Sequence, residues 1–349
     1  MGIDRALTAA AATAAAVALV ASAAPAQAAN SYVALGDSYS SGTGTRSYID
    51  DGTSCQRSVY AYPSLLASSK GLTLNFRACS GATVADVTNT QLGALGSGTT
   101  HVTISVGGND AGFADVLTEC AQPGWMSDCN GAIDDAQHVI NNVLPGRLST
   151  LYSSIRAKAP NAKVTVVGYP RIFNGEDCNA ATWFSPTEES RLNATADLLN
   201  SRTSTQASNK GFAFANPTSV FVGHAVCDDP EWINGLSSPV SESYHANRPG
   251  HASGYAVVVS PKLVGTSYTG GSAALAKAVS SADSLAAQQR SYAALDASVT
   301  PKEFVAPDLT SPRAKAAARA AGVDLTSRAS IDAADRAWSQ RQAQEWASR

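Results

Sequence analysis

The chain has 349 residues, 44% hydrophobic and 15% charged, with a formal net charge of −3. That is a globular composition, with enough apolar material for one sizeable core and a second small unit. It contains no basic run, so nucleic acid and other polyanions are not expected partners.

Residues 1–28 carry an Ala/Val-rich apolar stretch, ALTAAAATAAAVALVASAA, that closes on APAQA. The small-x-small ending has the form of an export cleavage site, which predicts a signal peptide and a mature chain starting near Ala29 or Asn30. Arg5 is offset by Asp4, so an uncleaved anchor is the alternative. No other segment reaches the length of a membrane span, and a secreted, extracellular, soluble protein is expected.

Beyond the leader, short apolar or β-branched runs recur at 32–35 (YVAL), 72–76 (LTLNF), 101–106 (HVTISV), 163–168 (KVTVVG) and 212–214 (FAF). Helical spacing fills the intervals at about 60–69, 83–92, 132–158 with a kink at Pro145, and 186–209. A last helix follows Pro249 and runs apolar through Tyr255, Val258 and Val259. This alternation predicts an α/β fold, a parallel sheet of about five strands between helices.

Three turns rich in small residues follow the first three strands: GDSYSSGTG at 36–44, ACSGAT at 78–83 and GGND at 107–110. Taken alone, GDSYSSGTG reads as a loop, because Gly, Asp and Ser are ordinary turn formers. In a parallel sheet, however, all three turns open on the same edge, where ligands bind beyond the carboxyl ends of the strands.

All six cysteines, Cys55, Cys79, Cys120, Cys129, Cys178 and Cys227, lie in the exported part. Consecutive pairing would close three local loops, each contributing about 2–4 kcal/mol by restricting the unfolded chain. A zinc site lacks ligand spacing, and no metal or cofactor is expected.

Near residue 265 the composition shifts, with GTSYTGGS at 265–272 reading as a linker. Residues 266–349 are Ala-rich, with helical pattern around 273–297 and 328–347 and a stripe of Ile331, Trp338 and Trp346. A solvated or loosely docked helical appendage is expected there, with a partner- or envelope-binding module as the alternative.

A serine hydroxyl attacks only when a base takes its proton and donors stabilise the oxyanion. His101 begins a strand and His138 lies in a helical stretch, so both read as structural; His224 sits beside Cys227 in a loop and is undecided. His245 precedes the last helix and His251 lies in its first turn, which favours His245 as the base serving Ser38. Two groups compete to orient its ring: the Glu242 carboxylate three residues earlier, and a nearby carbonyl such as that of Ser243. The N–H groups of Ser38 and Gly81 and the amide of Asn109 are candidate oxyanion donors. Gly81 would also let the backbone approach a substrate.

GDSYSSG from Gly36, Gly81 within CSGAT, GGND from Gly107 and the block at His245 together resemble the SGNH hydrolases, also called GDSL lipases and esterases. The resemblance covers about residues 31–264, so 29–265 is expected to form the hydrolase domain and 266–349 an extension of open role. It is strongest to secreted three-disulfide actinobacterial esterases, lipases and phospholipases. It implies a flavodoxin-like three-layer fold, Ser38 as nucleophile, Gly81 and Asn109 as oxyanion donors, and His245 as base. The family's usual histidine block has Asp where this chain has Glu242, which leaves the carboxylate and the carbonyl both open.

The expected activity is hydrolysis of lipid or other acyl esters by a monomer, with a groove formed by Phe113, Phe173, Trp183 and Phe184. The alternatives are a phospholipase A-type enzyme, a carbohydrate acetyl esterase and, more remotely, a non-catalytic secreted binding protein.

Overall fold

The computed structural model describes residues 1–2 and 30–347. The predicted export segment, apart from its first two residues, lies outside the described residues. Among those described, no helix is long and apolar enough to cross a membrane.

Strands β1 (Ser31–Gly36), β2 (Thr73–Phe76), β3 (His101–Ser105), β4 (Lys163–Val167) and β5 (Ala213–Ala215) form one parallel sheet in the order β2-β1-β3-β4-β5. Each lies within two residues of its predicted position. The central strands read as nearly continuous apolar runs because both faces are covered. Within the buried strands Tyr32 OH meets Thr103 Oγ1 at 2.7 Å. From β1 the chain first adds β2 on one side and then β3, β4 and β5 on the other, and this switch in strand order places the binding crevice of such a sheet between the loops that follow β1 and β3.

Helices Tyr62–Lys70 and Ala256–Val264 pack on each other and on the sheet. Helices Cys129–Asn142, Leu144–Lys158 and Pro186–Asn209 form a second group, the last of them against β4 and β5. The predicted single helix over 132–158 is two helices that meet at Val143. Pro145 lacks an N–H and so fits the first turn of the second helix rather than the interior of a long one. The segment predicted helical at 83–92 starts with a capping box between Thr83 and Asp86 and then widens into a π turn at Val87–Gln91. Disulfides join Cys55 to Cys79, Cys120 to Cys129 and Cys178 to Cys227.

The C-terminal extension differs from the loosely docked appendage expected of its composition. It forms helices Ser272–Ser280, Ala282–Arg290, Ala293–Asp296, Pro312–Ala321 and Arg328–Ala347, and it packs closely on the body. Ala314, Ala318 and Ile331 are buried, Trp338 lies against Gly124, and the Arg191 guanidinium sits 4.2 Å over the Trp346 ring. Small alanine side chains bring the helix backbones close, so docking here does not need many large apolar residues.

Candidate active site

β1 ends at Gly36 in a left-handed conformation, φ +123°, where any Cβ would collide with the Ser105 backbone. The Gln91 side chain clamps that residue: Oε1 accepts the Gly36 N–H at 2.7 Å and Nε2 donates to the Gly36 carbonyl at 2.9 Å. Asp37 then caps the short helix Ser38–Ser41 by accepting the Tyr39 N–H at 3.1 Å. Its buried carboxylate also accepts from Ser105 Oγ at 2.6 Å and Tyr169 OH at 2.5 Å. Burial raises the Asp37 pKa to about 6 despite these donors. Ser38 is thereby held at the sheet edge by contacts to β3 and to the loop after β4.

His245 Nε2 lies 2.9 Å from Ser38 Oγ, and His245 Nδ1 lies 2.8 Å from the Ser243 carbonyl oxygen. A carbonyl only accepts, so Nδ1 carries the proton and the Nε2 lone pair faces the serine hydroxyl. Burial lowers the His245 pKa to about 4, while the bond to Ser243 acts weakly in the other direction. The loop that carries the ring is fixed from outside. Tyr39 OH donates to the Tyr244 carbonyl at 2.7 Å, and Asn234 Nδ2 donates to the carbonyls of Gly44 at 2.9 Å and Glu242 at 3.2 Å.

The Glu242 carboxylate, weighed from sequence as the ring's orienting group, does not take that place. It accepts a hydrogen bond from Tyr48 OH, while the carbonyl of Ser243 faces the ring. The short 3-10 turn Val240–Glu242 ends in extended backbone at Ser243, which separates the directions of the carboxylate and the carbonyl. His251 is fully buried; its Nδ1 accepts the Tyr62 N–H at 3.3 Å, and its ring packs against Tyr62 and Tyr255. His101, His138 and His224 bond locally to Thr100, Asn142 and the Pro230 carbonyl.

Ser38, Gly81, Asn109 and His245 line one cavity. Gly81 adopts φ +83°, and Asn109 Nδ2 spends one hydrogen on the Ala82 carbonyl at 3.1 Å, which ties the turns after β2 and β3 together. An amide nitrogen has two hydrogens, so that bond orients the group and leaves the second available.

A second, apolar cavity opens at Ser38 and Asn109, with walls that include Phe113, Val116, Ile140, Phe173, Leu192 and Leu199. Of the four aromatics expected around a groove, Phe113 and Phe173 line it. Phe184 packs behind Phe173 at 4.8 Å, and Trp183 instead donates its indole N–H to Asp332 of the extension. Among the described residues, the one His/Cys/Asp/Glu cluster at ligand spacing is Cys178, Cys227 and Glu231, and its two sulfurs are spent in a disulfide.

The sequence profile of the GDSL-like lipase/acylhydrolase family matches residues 34–252. A lipase of Streptomyces rimosus is 43% identical over 238 residues, 68% of this chain and 88% of that protein. Lipase 1 of Streptomyces coelicolor is 42% identical over 262 residues, 74% of this chain and 96% of that protein. Among solved structures, phospholipase A1 from Streptomyces albidoflavus NA297 superposes with TM-score 0.64 at 41% identity, covering 67% of this chain and 99% of that one. The extracellular lipase of S. rimosus does so with TM-score 0.64 at 42% identity, covering 67% and 100%. The chain therefore belongs to the GDSL-like lipase/acylhydrolase family and is an ester hydrolase.

Proposed function

We propose that the protein is a secreted lipase or esterase that cleaves acyl esters through a covalent acyl-enzyme on Ser38, with His245 as general base and then general acid. The carrying observation is the chain of contacts Ser38 Oγ, His245 Nε2, His245 Nδ1 and Ser243 O at 2.9 Å and 2.8 Å. In this reading Ser38 Oγ attacks the ester carbonyl as Nε2 takes its proton, and the Ser38 and Gly81 N–H groups and the Asn109 amide receive the oxyanion. Nε2 then returns the proton to the departing alcohol, and water repeats the sequence to release the acid. The Ser243 carbonyl fixes the tautomer without supplying a counter-charge, making this a Ser-His dyad.

The apolar cavity beside Ser38 supports an acyl chain as the group retained on Ser38. The likeness to the S. albidoflavus phospholipase A1 makes a phospholipid the second substrate reading. Incubation with a fluorophosphonate should label Ser38 in the wild type and nothing in Ser38→Ala, which should lose about 10⁴–10⁶ in kcat on p-nitrophenyl esters. Near-normal turnover by pure Ser38→Ala would overturn the assignment. A series from acetate to palmitate, with phosphatidylcholine beside it, separates esterase, lipase and phospholipase.

A further inference from the structure

Residues 301–304 of the C-terminal extension cross the mouth of the site. Pro301 occupies the space into which a Cβ at Gly81 would project, and Phe304, 5% exposed, meets the Tyr244 ring edge-on at 4.9 Å, one residue from His245. The crossing is tied down on both sides. Upstream, Asp296 is bonded to Arg57 and Arg77, and Val299 is buried. Within the crossing Lys302 Nζ lies 2.5 Å from Asp115, and downstream the Val305 N–H donates to Thr118 Oγ1 at 2.9 Å and Arg313 lies 2.9 Å from Glu119. The family profile ends at residue 252, before this segment, and the S. rimosus structure aligns in full with 67% of this chain.

Ser38, Asn109 and Phe113 line both cavities, so an ester carbonyl held at Ser38 has one on each side. The apolar one suits the acyl chain. The other, whose walls include Gln56, Ser80, Lys302 and Glu303, then receives the alcohol portion, and its outer wall is Pro301 to Phe304.

We propose that the segment 301–304 is a specificity element that walls the alcohol side of the site, admitting compact leaving groups and excluding bulky ones. It rests on the reading of Ser38 and His245 as the acyl-transfer pair. A strap fastened at both ends narrows one subsite without touching the acyl cavity, so alcohol selectivity should change independently of acyl selectivity.

The test uses the full-length chain and butyrate esters of methanol, benzyl alcohol and 1-naphthylmethanol. Phe304→Ala should raise the kcat/KM ratio of the naphthylmethyl to the methyl ester by about tenfold or more, and Phe304→Trp should lower it. Methyl butyrate turnover and the preference along a series of methyl esters from acetate to decanoate should stay within about threefold of wild type. Phe304→Leu, smaller but still apolar, should move the ratio in the same direction and serves if the alanine variant does not fold. An equal rise for every ester would make the strap a general lid and overturn the proposal, as would an unchanged ratio or a shift confined to acyl length. Wild-type hydrolysis with unchanged alcohol selectivity in the variants sinks this proposal alone, whereas no hydrolysis of any ester by the wild type sinks the functional reading beneath it.

Discussion

Asp296 Oδ2 lies 2.7 Å from Arg57 Nη2, an ion pair between fully buried side chains 239 residues apart in sequence. The other oxygen, Oδ1, lies 2.6 Å from Arg77, also fully buried, so the carboxylate of the extension bridges two guanidinium groups of the body, and Asp51, 2.6 Å from Arg57, supplies the second negative charge. Burial lowers the Arg77 pKa from its ordinary value, and Asp296 opposes that shift. Asp296→Ala should therefore cost about 3–5 kcal/mol of stability, because it leaves buried positive charge with reduced compensation. Urea unfolding of the two proteins measures it. A loss under about 1 kcal/mol would show that the extension contributes little to the body.

Glu242 offers the sharpest contrast between two chemistries. Acid-to-amide replacement in a serine triad costs about 10⁴ in kcat. Here the carboxylate bonds Tyr48 and the ring bonds a carbonyl, so Glu242→Gln should lower kcat less than about tenfold. Steady-state kinetics at saturating ester decide the matter, and a loss of a thousandfold or more would restore the carboxylate as the partner of His245.

What could and could not be read from the sequence follows from which groups leave a side-chain signature. The strands were legible because runs such as HVTISV are buried on both faces, and the GDS and GGND turns because tight strand ends need small residues. The Ser243 carbonyl could be named only as one of two alternatives, since every residue carries a carbonyl. Gln91, which clamps Gly36, had no visible motif, because its role arises only when a π turn brings it 55 residues back to β1. The docking of the extension was missed for a related reason. Alanine content reads as solvated helix, and the pairing of Asp296 with Arg57 and Arg77 has no local pattern. An excess of buried arginine over its local acids is the signal that could have found it.

Asn109 tests the oxyanion assignment. Its Nδ2 is oriented by the Ala82 carbonyl at 3.1 Å and lines the same cavity as Ser38 and His245. Asn109→Ala should lower kcat by about 10²–10³ with a smaller change in KM, because the donor acts on charge that appears only in the transition state. A loss confined to KM would make Asn109 a substrate-binding or structural residue.

The pH profile distinguishes His245 from its acidic neighbour. Sequence alone suggests a base titrating near its ordinary value of about 6.5. In the folded protein burial brings His245 down to about 4, and if the neutral ring is the base, as proposed, protonation on acidification should abolish activity. The kcat/KM for a short ester should therefore fall through about pH 4, and from about pH 5.5 to neutrality His245 itself should contribute no further change. Asp37, raised to about 6 by burial, would titrate inside that range. Its protonation leaves Nε2 free to act, so it should give at most a shoulder of about threefold near pH 6, and Asp37→Asn should abolish that shoulder while preserving the limb near 4. A single inflection near 6.5 that survives Asp37→Asn would mean that the His245 ring titrates as though in water, and the desolvated base drawn here would be wrong.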